Sequence, residues 1–144
     1  MIEQNYSNHK RYVFLYHFVT FAIVLLLLVS SIYYTIEEAV KGTSMKPGLF
    51  LFLISLVLLS LFFYAREFAI KAQDRAIRAE ENFRHYLLTG KPLDTKLTMR
   101  QIIGLRFASD EEFPELAKKA VESNISEEDI KKAVKNWRGD YDRA

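Results

Sequence analysis

The sequence predicts an all-α protein: a two-helix transmembrane hairpin whose second helix extends into a small cytoplasmic helical bundle. Three observations predict this fold. Residues 12–36 and 49–65 contain no Asp, Glu, Lys or Arg. No Pro or Gly occurs from residue 49 to residue 89, so the second stretch continues beyond its apolar part as one helix. Apolar residues then recur at helical spacing through the C-terminal region.

The first apolar stretch, residues 12–36, is 25 residues long, and a helix needs about 20 residues to cross the hydrocarbon core of a bilayer. A cleaved signal peptide is the alternative. The run is too long for a signal peptide, and no small-residue cleavage site follows it before Glu37. We therefore predict a transmembrane helix that follows a short cytoplasmic segment, residues 1–11.

The second apolar stretch, residues 49–65, has 17 residues, which is at the short end of the spanning range of about 17–25 residues. Pro47 precedes it and suits a first helical turn. Aromatic side chains lie near both ends of the two stretches, where interfacial belts form. The spans are therefore predicted to be antiparallel partners joined by a short external loop, residues 37–48.

The positive charges set the orientation. Lys10 and Arg11 precede the first span, and four cations follow the second. Under the positive-inside rule both termini face the cytoplasm. The four cations are also candidate contacts for anionic lipid headgroups. They are Arg66, Lys71, Arg75 and Arg78.

One polar group interrupts the first span. His17 lies about five residues inside its cytoplasmic end, and Thr20 follows three residues later on the same helical face. Together they form a candidate intramembrane polar site, because ionisable residues in a membrane are often functional. A structural role is favoured, since the imidazole is close enough to the interface to reach water or a partner on the second span.

A regular stripe of small and aromatic residues follows the second span. Its members alternate in steps of three and four, which is the a/d repeat of a coiled coil. This helix-packing seam consists of Ala65, Ala69, Ala72, Ala76, Ala79, Phe83 and Tyr86. Alanine buries little area, so the seam needs a partner with larger side chains. A second copy of the chain and the C-terminal helices are both candidates, and we favour the C-terminal helices.

Three short amphipathic helices complete the predicted cytoplasmic domain, residues 66–144. Their predicted caps are Thr98 in a capping box, then Ser109 or Asp110, then Ser126. The last helix is predicted to end near Trp137. For the helix that starts at Thr98, packing in the bundle is favoured over dipping into the lipid interface.

No motif for catalysis, metal binding or cofactor binding is recognisable in the sequence. Cysteine is absent, and the five glycines are scattered. Glu81 and His85 could form half a metal site, but an exposed i,i+4 contact explains them better. The basic residues that follow the second span alternate with acidic ones, which argues against nucleic acid as a partner. We therefore predict no enzyme activity and no cofactor.

Several long strings of residues resemble a family of small, uncharacterised bacterial inner-membrane proteins, a domain of unknown function. The resemblance covers nearly the whole chain. The residues that carry it are Gln4-Asn5-Tyr6 with Asn8-His9, His17-Phe18-Val19-Thr20, KAQDRAIRAEENFRHYLLTGKPLD, LTMRQIIGLRFASDEEFPELAKKA and IKKAVKNWR. It implies a bacterial two-span protein with a helical C-terminal domain, and it implies no activity.

Two functional hypotheses follow. The first is a non-enzymatic accessory or scaffold subunit that docks a partner at the cytoplasmic face of the membrane. Its partners would be membrane lipids and either a second copy of the chain or another subunit of a membrane complex. The second is a small oligomeric transporter or channel component built around His17, which would require several copies because two spans are few for a pore.

Overall fold

A computed structural model describes residues 4–9 and 12–140, and in this part of the chain the regular elements are helices, joined by loops, with one isolated bridge between Ala108 and Trp137. The elements are a π-helical turn at Leu15–Thr20, then helices α1 (Phe21–Val40), α2 (Lys46–Thr89), α3 (Met99–Leu105), α4 (Phe113–Glu122) and α5 (Glu127–Ala133). The predicted all-α class is confirmed. Residues 12–68 form one compact unit, and residues 4–9 with 69–140 form a second.

Two helices in the described part of the chain are long and apolar enough to cross a membrane. They are the continuous helix Leu15–Val40, of 26 residues, and α2, of 44 residues. In each, only 11% of the most apolar window is buried within the protein, whereas a core helix of a soluble protein would be mostly covered. Helix α1 ends at Val40, four residues beyond the predicted end of the span at residue 36.

The continuous helix Leu15–Val40 contacts α2 near both of its ends within the unit of residues 12–68. The ring of Tyr16 stacks on Phe62 with 4.5 Å between centroids, and its hydroxyl donates a hydrogen bond to the Phe62 carbonyl. Gly48 lies against Thr35 so closely that a Cβ at residue 48 would stand 2.9 Å from the Thr35 Cα. Small residues are common where membrane helices approach each other closely.

The unit of residues 4–9 and 69–140 has a continuous apolar core. It is formed by one residue of α2, two of the following loop, and inward-facing residues of α3, α4 and α5 with the segment between α3 and α4. The buried members are Ile77, Leu93, Leu97, Ile102, Leu105, Ala108, Phe113, Ala117, Ala120, Ile130 and Val134. Ile102 and Leu105 are thus buried in the bundle, which confirms the favoured interpretation of α3.

Two predicted helix starts are confirmed. Thr98 accepts a hydrogen bond from the Gln101 backbone while the Gln101 side chain accepts one from the Thr98 backbone, a complete capping box. Ser126 accepts a hydrogen bond from the Asp129 backbone at the start of α5. Such caps satisfy backbone N–H groups that have no partner within the helix.

Two other boundaries differ from the prediction. Helix α4 begins at Phe113 with Glu112 as its N-cap, not with Ser109 or Asp110. The Glu112 carboxylate accepts hydrogen bonds from the backbones of Lys135 and Asn136 instead, at 3.0 and 3.1 Å. A cap pattern concerns only neighbouring residues, so it could not predict this contact with the segment after α5.

Helix α5 ends at Ala133, so the prediction that it continues to Trp137 is wrong. Val134 is already extended, and Trp137 forms the isolated bridge with Ala108. The Arg138 backbone then donates to the Phe107 carbonyl at 2.8 Å. These non-local backbone hydrogen bonds compete with further turns of helix.

The N-terminal residues 4–9 pack on this same bundle. The Asp140 backbone donates to the Gln4 side chain at 2.7 Å. The His9 ring is buried, with its centroid 5.8 Å from that of Phe107 and 5.9 Å from that of Trp137. The predicted cytoplasmic segment, residues 1–11, therefore contributes its described part to the domain formed by the other end of the chain.

Candidate functional site

Helix α2 has two different faces between residues 69 and 89. One face, here called the packed face, consists of Ile77, Glu81 and Arg84, which are spaced four and three residues apart and are all buried. Residues at these spacings share one side of a helix. The packed face lies against the bundle: Ile77 belongs to its core, and Arg84 contacts the segment between α3 and α4 and the start of α4.

The predicted seam lies on the opposite side of α2 and is exposed. All seven of its residues are exposed, and Phe83 and Tyr86 keep 61% and 53% of their surface open. The expectation that the C-terminal helices cover the seam is therefore wrong. The reason is that Ile77, Glu81 and Arg84 occupy the face that these helices bind. Packing of the seam against a different molecule stays a prediction.

Further large apolar side chains extend this open surface. Phe68 and Leu87 flank the seam and are 63% and 67% exposed. A contiguous apolar surface of this kind is uncommon on a protein that acts alone, and it usually marks an interaction site. Helix α2 thus presents an apolar strip on the side that its own bundle leaves uncovered.

Arg84 is the centre of a buried charged cluster behind the seam. Its Nε donates to Asp110 Oδ1 at 2.7 Å, its Nη1 to Glu81 Oε2 at 3.0 Å and its Nη2 to the Ala108 carbonyl at 2.7 Å. The guanidinium also stacks over the ring of Phe113. All three nitrogens are therefore paired, which is what a buried guanidinium requires. The cluster ties α2 to the segment between α3 and α4.

Burial raises the pKa of the Glu81 carboxyl above its ordinary value, because desolvation disfavours the charged form. The hydrogen bond and charge of Arg84, and the charge of Arg138, oppose this shift without cancelling it. Glu81 does not form the exposed i,i+4 contact with His85 that the spacing of the two residues predicted. His85 Nδ1 instead lies 2.7 Å from the Lys91 carbonyl, and the Glu81 side chain is buried rather than exposed.

A polar cavity of about 370 Å³ adjoins the packed face. Two ion pairs line it: Arg106 Nη1 to Asp140 Oδ2 at 2.9 Å, and Arg138 Nη1 to Glu81 Oε1 at 3.8 Å. Glu80 also lines the cavity, so its wall carries three acidic and two basic side chains and does not favour an anion. Across residues 4–9 and 12–140, no group of three metal-binding side chains comes together.

The predicted intramembrane site is arranged differently from its sequence pattern. His17 Nε2 lies 2.7 Å from Arg66 Nη1, and since a guanidinium only donates, Nε2 is the acceptor. Nδ1 then carries the proton and donates to the Val13 carbonyl at 2.9 Å. The Thr20 hydroxyl donates to the Leu15 carbonyl at 3.0 Å. His17 is thus paired with a cation from the predicted lipid-contact set.

The π-helical turn explains part of this arrangement. It widens the helix at Leu15–Thr20, so that Thr20 bonds to the carbonyl five residues earlier. Such turns occur frequently at functional sites, but every hydrogen bond described here also suits a structural role. The hypothesis of a transporter or channel around His17 stays a prediction.

The four candidate lipid contacts, Arg66, Lys71, Arg75 and Arg78, all have exposed side chains. Arg66 lies within hydrogen-bond distance of His17, whereas Arg75 and Arg78 are exposed on the part of α2 that follows the apolar stretch. Their contact with anionic headgroups stays a prediction, for which exposure is a necessary condition.

Sequence reasoning missed the buried polar residues. Gln101 is an example: besides its role in the capping box, its Nε2 donates to the Ala120 carbonyl at 3.2 Å and the Ile125 carbonyl at 3.0 Å. Arg84 is another. The only local signal for Arg84 was its spacing from Ile77 and Glu81, because hydrophobic patterning assigns charged residues to the surface.

The described chain thus defines a class of protein: all-helical, with two helices long and apolar enough to cross a membrane and a small bundle that includes the end of the second helix. The chain belongs to the family described as "Family of unknown function (DUF6526)", whose sequence model matches residues 1–144. No curated protein and no solved structure matches it.

Proposed function

We propose that the chain is a non-enzymatic accessory or scaffold subunit of the bacterial cytoplasmic membrane, whose cytoplasmic domain docks a partner helix. The open strip on α2 carries this proposal. Phe83 and Tyr86 continue an alanine heptad pattern on the side of α2 that the bundle does not cover. Docking another helix would bury this apolar surface, which gains free energy in proportion to its area.

A two-span hairpin with both ends in the cytoplasm is part of this proposal. The contact of Tyr16 with Phe62 and that of Thr35 with Gly48 support an antiparallel pair of spans, because they join opposite ends of the continuous helix Leu15–Val40 to opposite ends of the apolar part of α2. The packing of residues 4–9 on Trp137 and Asp140 supports a common side for both ends of the chain.

The basic residues after the second span fit the same arrangement. Residues 66–108 carry nine Lys or Arg and five Asp or Glu, whereas residues 109–144 carry seven and ten. A net charge of +4 near the inner leaflet attracts anionic headgroups, and a net charge of −3 further along the chain does not. Arg66, Lys71, Arg75 and Arg78 would therefore hold the domain close to the membrane surface while the seam receives its partner.

Site-specific photo-crosslinking in native membranes tests the docking. A benzophenone amino acid at Phe83 should give one discrete adduct, because this side chain would lie inside the docked interface. The matched control is the same amino acid at Lys118, which is exposed on α4 away from the seam, and it should give no adduct. A charge placed in the seam, Ala79→Lys, should abolish the Phe83 adduct without changing the fluorescence of Trp137.

Absence of any adduct at Phe83 in native membranes would overturn the docking proposal. An equal yield from the Lys118 control would do the same, because contact would then be unspecific. A reporter fused to the C-terminus tests the topology separately, and its appearance outside the cell membrane would overturn the cytoplasmic orientation.

A further inference from the structure

We infer that the partner helix is α2 of a second copy of the chain, lying parallel to the first. This inference rests on the proposed docking function and names its partner. It depends on three properties of the open side of α2: its heptad register, the charges that flank it, and the direction that a membrane would impose on both copies.

The register is that of a coiled coil over more than three heptads. The a positions are Ala69, Ala76 and Phe83, and the d positions are Ala65, Ala72, Ala79 and Tyr86. From Ala65 to Tyr86 the seam is about 30 Å long, at 1.5 Å per helical residue. In a parallel pair each a or d residue faces the same residue of the other copy. The helix axes therefore approach closely where alanine faces alanine and lie further apart where Phe83 and Tyr86 face their counterparts.

The flanking charges are complementary for self-pairing. Arg75 occupies a g position, and Glu80 occupies the e position five residues later. In a parallel coiled coil, g of one helix faces e of the next heptad of its partner. Arg75 of each copy would therefore face Glu80 of the other, which gives two symmetric ion pairs.

Both side chains are available for these pairs. Arg75 and Glu80 are exposed, and Glu80 also lines the polar cavity. Within residues 4–9 and 12–140 neither side chain forms an ion pair. The remaining e and g positions from residue 68 to residue 87 are Phe68, Gln73, Asn82 and Leu87. No like charges therefore meet at these positions in the parallel arrangement.

The membrane would impose the same direction. Two copies inserted with one topology have second spans that run the same way, so the extensions of α2 are also parallel. The symmetry is then a two-fold axis along the membrane normal, the commonest symmetry of protein dimers. An antiparallel pair would place g against g and e against e, so that arginine faces arginine.

The bundle leaves this side of α2 accessible. The residues of α2 that are buried against the bundle are Ile77, Glu81 and Arg84, which occupy b and f positions of the same heptads. Asn82, at a g position, accepts a hydrogen bond from the Leu93 backbone in the loop before α3. The b and f positions point away from the a/d side of a helix. A second copy can therefore dock on the seam without displacing α3, α4 or α5.

Cysteine crosslinking of the full chain in native membranes tests the inference, and the absence of natural cysteine makes each engineered thiol unique. Ala76→Cys and Ala79→Cys place thiols at a and d positions, where parallel partners bring Cβ atoms close enough for a disulfide. Arg78→Cys, at the neighbouring outward position, is the matched control. Oxidation should give at least about tenfold more disulfide-linked dimer from the seam variants than from the control.

Charge reversal then tests the register. Either Arg75→Glu or Glu80→Arg should lower the yield of Ala79→Cys dimer about tenfold at low salt, because two exposed ion pairs become two repulsions. The double reversal should restore the yield. Unchanged Trp137 fluorescence in each variant would show that the bundle is intact, since both positions are exposed.

The outcomes separate the two proposals. Equal crosslinking by Arg78→Cys and Ala79→Cys, or single reversals without effect, would overturn the second copy as partner. If the Phe83 photo-adduct then contained a different protein, docking would stand while self-pairing failed. A Phe83 probe without any adduct, together with no disulfide dimer, would overturn both.

Discussion

The guanidinium of Arg84 stacks on Phe113, with 4.5 Å between its central carbon and the centroid of the ring. Phe113 is fully buried at the start of α4, and the same guanidinium bonds to Asp110, Glu81 and the Ala108 carbonyl. One side chain therefore joins α2 to the rest of the bundle through charge, hydrogen bonds and ring contact.

Replacing this guanidinium should destabilise the bundle strongly. Arg84→Met keeps much of the volume but leaves the buried Glu81 carboxylate without its partner, and we expect a loss of about 3–5 kcal/mol in the free energy of unfolding. Trp137 is the single tryptophan and packs 4.9 Å from Phe107 between ring centroids. Its fluorescence during denaturation of the detergent-solubilised chain measures the change.

Two further variants define the role of Arg84. Arg84→Lys keeps the charge without the planar fork, so it should recover only part of the loss. Arg78→Met, on the exposed side of the same helix, should change the free energy of unfolding by less than about 0.5 kcal/mol. A similar small effect for Arg84→Met would contradict the account of the cluster.

Glu81 should make the stability of the bundle depend on pH. Its pKa in the folded chain is raised above the ordinary value of 4.5 by burial, so the folded state binds a proton at a pH where the unfolded state has released it. This contribution to the free energy of unfolding is therefore fully present below pH 4.5 and is lost as pH rises through the raised pKa.

The difference between wild type and Glu81→Gln isolates this effect from the other titrating groups. The variant cannot ionise, so its unfolding free energy should fall less than that of wild type over the same rise in pH. The exposed neighbour provides the control, since Glu80→Gln removes only the smallest of the contributions to the raised pKa of Glu81 and should keep most of the wild-type dependence. If the unfolding free energies of Glu81→Gln and wild type changed with pH by the same amount, the pKa of Glu81 would not be raised in the folded chain.

Gly104 marks the closest approach of α3 and α5. A Cβ at this position would stand 3.0 Å from the Glu127 carbonyl and 3.2 Å from the Ile130 side chain. Gly104→Ala should therefore push the two helices apart and cost about 1–3 kcal/mol of unfolding free energy, despite the better helix propensity of alanine. The midpoint of denaturation followed by Trp137 fluorescence measures this.

The control for Gly104 lies on the same helix. The side chain of Arg100 is 81% exposed and forms a 3.4 Å ion pair with Glu127, so Arg100→Ala should cost less than about 1 kcal/mol. If Gly104→Ala were as stable as wild type or more stable, helix propensity would outweigh packing and α3 could not lie so close to α5.

Local patterns predicted the starts of α3 and α5 and the length of α2 well. The capping box at Thr98, the cap at Ser126 and the absence of Gly or Pro through residue 89 each act over a few residues, so one sequence suffices to find them. The apolar lengths likewise predicted two helices able to cross a membrane.

The face that α2 turns to its own bundle could not be predicted in the same way. The sequence places a strong a/d repeat of alanines on one side of α2 and Ile77, Glu81 and Arg84 on another. Hydrophobic patterning assigns charged residues to the surface, so it predicted the alanine side to be the buried one. The burial of Arg84 depends on Asp110 and the Ala108 carbonyl, which lie 26 and 24 residues further along the chain. The end of α5 could not be predicted locally either, because it depends on the bridge between Trp137 and Ala108, which are far apart in the sequence.

The contact of Gly48 with Thr35 should be as sensitive to an added Cβ as the contact at Gly104. A substitution at Gly48 therefore tests whether α1 and α2 pack as a pair. An added Cβ would stand 2.4 Å from the Thr35 hydroxyl and 2.9 Å from its Cα. Gly48→Ala should therefore separate the helices at this end and lower the thermal stability of the detergent-solubilised chain, at a cost of about 1–3 kcal/mol.

Adding Thr35→Ala to Gly48→Ala should restore only part of this stability, because it removes the clash with the hydroxyl and leaves the clash with the backbone. Ser60→Ala is the control, since Ser60 is exposed and bonds to the Leu56 carbonyl of its own helix. If Gly48→Ala had the same melting temperature as wild type and as Ser60→Ala, the two helices would not approach each other at Gly48. The proposed hairpin would then lose one of its two supporting contacts.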